Sequence, residues 1–214
     1  MIKADQVQLT MPEISALCLR AARGAGLGWG MAEEYAHAAT WLAARDFDWA
    51  DAVLHQLETP SGRQVRPAVD RWHADTPVCA LHVGVALSDF ATLPEGPGSD
   101  GVCLGQVSGP LMLVPFAARA SQLLGSVLEI TLDGSPWLRM SGDNVQIHVT
   151  EKSTIWVAEV SVFPALPDHQ PPIQTASQNA IISHDQLLRL DSLALKMTVP
   201  SSAISAKGAG ADDD

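Results

Sequence analysis

Between Arg20 and Glu34 the chain sets two arginines, four alternating glycines and two carboxylates close together: Arg20, Arg23, Gly24, Gly26, Gly28, Gly30, Glu33 and Glu34. Glycine lets backbone N–H groups approach an anion at the start of a helix. An arginine fork can pair a carboxylate or phosphate through two hydrogen bonds. Arg20, Arg23, Gly26, Gly28, Gly30, Glu33 and Glu34 therefore form a candidate ligand-binding set. A dinucleotide fingerprint needs a preceding strand and a different glycine spacing, whereas this row lies between two helical patterns. A plain helix linker is the weightier reading, and the pattern singles out no cofactor.

Other reactive residue types are scattered. The seven histidines include no i, i+4 pair on any helical stretch, so no zinc motif of the usual kind is present. His37 and His82 fall on helical patterns and read as packed or surface residues, and His148 reads as the solvent side of a strand. No Gly-x-Ser-x-Gly elbow occurs; Gly105-Gln106-Val107-Ser108-Gly109 misses it by one position, so acyl transfer has no support from sequence. Cys18, Cys79 and Cys103 are odd in number and far apart, which suits neither a disulfide framework nor a thiolate metal site, and they read as small buried hydrophobes in a reduced chain. Six tryptophans (Trp29, Trp41, Trp49, Trp72, Trp137 and Trp156) point to core packing or a subunit interface, with an aromatic ligand pocket as the lesser reading.

These residues need elements to position them. Thr10-Met11-Pro12-Glu13 is a capping box with proline in the first turn, and Ile14, Leu17, Cys18 and Ala21 follow at the spacing of one buried helical face. A second helix is predicted over 31–45, with Glu33 and Glu34 in its first turn, and a third over 49–57. Residues 58–76 read as an irregular connection, 79–90 as a helix and 91–100 as a loop. Beyond Gly101 the texture changes to short runs rich in Val, Ile and Leu. Strands are predicted at 102–107, 111–114, 127–132, 137–140, 145–150 and 154–163, interrupted by a helix over 116–124. Asp133-Gly134 and Gly142-Asp143-Asn144 supply hairpin chemistry, which favours an antiparallel meander. After a loop over 164–172, Ser183 caps a last helix carrying Leu187, Leu188, Asp191 and Leu195. The expected class is α+β: an amino-terminal helical layer on a mainly antiparallel sheet, closed by a carboxyl-terminal helix. Residues 1–207 read as one domain and 208–214 as a Gly/Ala and acidic tail.

The formal net charge of −11, with no Lys/Arg stripe, argues against nucleic-acid binding. The most apolar stretch, Gly109 to Ala118, is about half of what a membrane-spanning helix needs, and the opening Met1-Ile2-Lys3-Ala4-Asp5-Gln6 does not read as a signal peptide. The expected location is the cytoplasm.

Leu17 through Ala44, with Ala21-Ala22-Arg23-Gly24-Ala25-Gly26 and Trp29-Gly30-Met31-Ala32-Glu33-Glu34, resembles an uncharacterised bacterial family, domain of unknown function 3726. The ending Val199-Pro200-Ser201-Ser202-Ala203, then Gly208-Ala209-Gly210-Ala211 and acids, is similar to that family's ending, although the family has a longer Gly/Ala repeat and an Asn among the acids. The resemblance implies no activity and carries over no catalytic residue. It implies that both end segments serve function. The leading expectation is a homo-oligomeric small-molecule-binding or accessory protein. The alternatives are an enzyme with its site at the Arg20–Gly30 loop, Glu33, Glu34 and the tail, and a purely structural subunit.

Overall fold

The computed structural model describes residues 5–74, 76–98, 100–148, 156–165, 171–173 and 175–197. The Gly208–Asp214 tail, the 199–203 segment and the predicted strand residues at 149–150 and 154–155 lie outside the described residues.

Strand β1 (Gln6–Thr10) runs directly into α1 (Met11–Gly24) at the predicted capping box. The Glu13 amide donates to Thr10 Oγ1, and the Glu13 carboxylate accepts from the Thr10 amide at 2.7 Å. The Thr10 amide and hydroxyl, both donating to the Glu13 carboxylate, hold it below its ordinary range. α2 (Trp29–Ala43) packs against α1, each helix burying alanines, and α3 (Trp49–Glu58) follows. α2 begins two residues earlier than predicted, because Gly28 already adopts the extended N-cap conformation. Glu33 and Glu34 are therefore not in the first turn, a correction to the helix-dipole argument. Residues 58–76 are not wholly irregular: β2 (Val65–Arg66) and β3 (His73–Ala74) form a small ribbon.

The main sheet begins at β4 (Val78–Cys79), which feeds α4 (Ala80–Asp89), and continues with β5 (Val102–Ser108). Leu111–Val114 is not a strand. Gly109, at φ 65°, and Pro110 turn the chain into a short 3-10 helix over Pro110–Leu113, which leads into α5 (Val114–Leu124). β6 (Leu128–Leu132), β7 (Ser135–Ser141) and β8 (Asn144–Ile147) form the expected meander, and Asp133 and Gly134 both take the positive φ that a tight hairpin requires. β9 (Val157–Pro164) inserts between β5 and β6, giving the order β4-β5-β9-β6-β7-β8. The strand pairings of this sheet are antiparallel except β4 with β5, and isolated parallel bridges join Gly62 to Val78 and Arg71 to Cys103. β10 (Asn179–Ser183) pairs antiparallel with β1, and Ser183 then caps α6 (His184–Leu195) with a second capping box.

α4 and α5 lie between the sheet and the helices α1, α2, α3 and α6. Buried residues of every layer, such as Leu17, Leu42, Phe116 and Ile130, belong to one contiguous cluster. The class is α+β, with amino-terminal helices, a mainly antiparallel sheet and a carboxyl-terminal helix. Gly24 has a packing role: a Cβ there would sit 1.8 Å from the Leu193 carbonyl oxygen, so α6 crosses α1 only because that position lacks a side chain. Cys18 and Cys79 are buried as expected, whereas Cys103 is only half-buried. Burial pushes the Cys18 thiol up to about 12. Trp41, Trp49 and Trp72 join the core, while Trp29 and Trp156 are exposed. No helix among the described residues is long and apolar enough to cross a membrane.

Candidate functional site

β4 and β5 run parallel with Cys79 opposite Ser108, and both strands give way to helix at that level. The carboxyl ends of parallel strands, with helices departing, are a recurrent place for ligands. The last turn of α3 closes over this point. Gln56 donates through Nε2 to the Ser108 carbonyl at 2.7 Å, and its Oε1 accepts from Cys79 Sγ at 3.0 Å and from the Leu81 amide at 3.4 Å. The side-chain amide is thus fixed by three partners on two strands and a helix.

His55, one residue earlier on α3, shares hydrogen bonds with Ser108 Oγ at 3.0 Å through Nε2 and with Thr59 Oγ1 at 3.1 Å through Nδ1. Its ring stacks on Trp156 with centroids 4.4 Å apart. Burial lowers the His55 pKa, opposed by a hydrogen bond to the Trp156 backbone, so the ring is neutral at pH 7. Neutral imidazole beside a hydroxyl is the geometry of a base and a nucleophile. Ser108, however, is 1% exposed, and in this conformation the pair pins α3 to the end of β5. Gly109 makes the approach possible: a Cβ there would meet Gln56 Nε2 at 2.3 Å and His55 Cδ2 at 2.9 Å, at a φ that disfavours any side chain.

Above this floor opens a cleft of 320 Å³. Gln56, Thr59, Arg63, Cys79 and His82 give it polar walls, and Ala25 and Leu27 of the α1–α2 connection close one side. Tyr35 also lines it, but its hydroxyl donates to the buried Val53 carbonyl, and burial pushes the phenol well above its ordinary pKa, so it serves as structure. The cleft's carboxylate, Glu58, is engaged by Arg189 of α6. Arg63 forms no ion pair with a described residue. His82, at the third position of α4, has Nδ1 buried without a partner; burial first and the Arg63 charge second hold the imidazole below its ordinary pKa.

The residues expected from sequence to form a ligand set are divided by the structure. Arg20 is exposed, with Nε on the Ala16 carbonyl. Arg23 reaches over the connection to the Leu27 carbonyl and lies 4.5 Å from the Trp29 ring centroid, so its guanidinium closes the loop. Gly26, at φ 91°, and Gly28, the N-cap, shape that loop, while Gly30 lies within α2 with open space around it. Glu33 and Glu34 face a second, shallower groove of 510 Å³ with His37, Trp41, Arg119 and Asp143. Glu34 pairs there with Arg119 at 3.4 Å. The loop thus walls the cleft through Ala25 and Leu27, and the two glutamates belong to the groove. Sequence reasoning passed over Gln56, Arg63, Cys79 and His82 as a group because they lie on three segments; the available signal was Ser108-Gly109-Pro110, a strand end followed by an enforced turn. Among the described residues no three His, Cys, Asp or Glu side chains are placed to hold a metal.

Residues 9–94, which span β1 to the loop after α4 and include every residue lining the cleft, match the family model described as protein of unknown function (DUF3726). No curated protein and no solved structure matches the chain.

Proposed function

We propose that this chain is a small-molecule-binding protein whose ligand occupies the cleft between the α1–α2 connection, the end of α3 and the start of α4. The observation that carries this reading is the convergence of polar groups from separate segments, Gln56, Thr59, Arg63, Cys79 and His82, on one concavity with an apolar wall. Amide NMR spectra recorded while polar metabolites are added provide the test. Shifts clustering at Leu27, Thr59, Arg63 and Leu81 are expected. Shifts confined to Glu34, Arg119 and Asp143 would move the site to the groove and end this reading.

A second reading, an enzyme acting on that ligand, is favoured by the Cys79 thiol in the cleft wall. Cys79→Ser separates the two, since it keeps a donor for Gln56 but abolishes thiol-dependent turnover in an enzyme, whereas in a binder no turnover is there to lose. Three cysteines without a disulfide support a reducing, cytoplasmic setting. Leu188 and Leu195, exposed on one face of α6 with Ile181 of β10 also exposed, support self-association. Light scattering on the wild type and on Leu188→Asp tests that: an assembly in the first and a monomer in the second is the expected result.

A further inference from the structure

Resting on the cleft as the ligand site, we infer that its ligand carries an anionic group, carboxylate or phosphate, seated between the Arg63 guanidinium and the His82 imidazole, and that His82 takes up a proton as the ligand binds. In a chain of net charge −11, the cleft is a local exception. Its one carboxylate is neutralised by Arg189, and its arginine has no carboxylate partner among the described residues. With Nδ1 enclosed, Nε2 is the ring nitrogen His82 has left to offer, and no described residue bonds to it.

The groups that decide its titration are few. Arg63 opposes its charge, and Glu58 is occupied by Arg189. Cys79 donates to Gln56, and Tyr35 donates to Val53. On the neighbouring strand β2, Arg66 lines a separate depression with His73. His82 also lies in the first turn of α4, whose backbone dipole opposes a cation and favours an anion. An anion in the cleft reverses the balance: it offsets Arg63 and the helix end together and gives a protonated ring a hydrogen-bond acceptor. Binding and proton uptake are then linked, and affinity falls as pH rises, by roughly tenfold per pH unit at the steepest.

The test follows His82 by imidazole NMR in the intact chain, with succinate and inorganic phosphate as probes. In the free protein its midpoint should lie below that of an ordinary histidine. A saturating probe should raise it. Arg63→Gln, at an exposed position outside the core, should weaken binding about tenfold and by itself raise the His82 midpoint in the free protein, which a merely structural residue would not do. A response to succinate alone identifies a carboxylate ligand, and one to phosphate alone a phosphate. If neutral metabolites perturb the cleft but neither anion binds or moves His82, the charge assignment falls while the binding site stands. If nothing perturbs the cleft, both fall.

Discussion

The cleft and the groove are both concave and both polar, and the larger of the two is the less promising. In the groove several of the polar groups answer one another. Trp41 Nε1 donates to Asp143 at 2.9 Å, Arg45 pairs with the same carboxylate at 3.2 Å while lying over the Trp41 ring, and Arg119 holds Glu34. In the cleft Arg63 and His82 are left without such partners. Volume measures room. Unanswered polarity says what the room is for, because a buried polar atom without a partner, as His82 Nδ1 is, costs about 1 to 3 kcal/mol.

The comparison can be attacked first at the cleft floor. Gly109→Ala should lose about 2 to 4 kcal/mol of stability, from a left-handed φ at a residue with a side chain and from displacement of Gln56. Urea denaturation measures it, and a loss under about 1 kcal/mol would show that the floor is soft. Next, Asp143→Ala in the groove should cost about 1 to 2 kcal/mol, since it strips an acceptor from Trp41 Nε1 and from Arg45, whose side chain is 9% exposed. Ligand binding in the cleft should be untouched. If that variant abolishes binding, the two concavities are one functional unit.

Acid should produce a smaller effect. His55 and His82 both have folded pKa values below the ordinary one, so the unfolded chain binds protons first. Their stabilising contribution is complete above about pH 6.5 and is lost as pH falls from there through the folded values. The urea midpoint should decline from pH 7.5 to 5, and the part of that decline owed to these two rings should disappear in the His55→Gln, His82→Gln double variant. Smallest of all, Glu58→Gln should cost at most about 1 kcal/mol, fading at high salt, because the pair with Arg189 is half-exposed. A larger loss would mean that α6 depends on this pair for docking.

Local chemistry was readable and long-range partnership was not. Thr10 with Glu13 marked the start of α1 to the residue, and Asp133-Gly134 marked its hairpin, because each signal is complete within a few positions. Leu111–Val114 looked like a strand because a short apolar run has no period of its own; Gly109, Pro110 and Pro115 were the evidence for helix. The pairing of β1 with β10 left no trace in sequence, since Gln6-Val7-Gln8-Leu9-Thr10 alternates like any half-buried strand whatever its partner. Of the glycine row only Gly26 and Gly28 lie between the two helices; Gly30 falls within α2, and Gly24 ends α1 where α6 crosses it, which no inspection of the row could reveal. The site failed to show for the same reason: Arg63 comes beside Cys79 only through the backbone bonds of Gly62 with Pro77 and Cys79, and Gln56 reaches the same thiol from α3.

The β1–β10 ribbon also sets how the molecule would answer to force. Gln6 pairs with Ser183, where the chain enters α6, so tension applied through Asp5 and Leu195 reaches the ribbon at one end. Antiparallel bonds loaded from that end open one after another, as in a zipper, where shear would load them all at once. The ribbon should therefore part at low force, leaving α1 and α6 joined by side-chain packing alone.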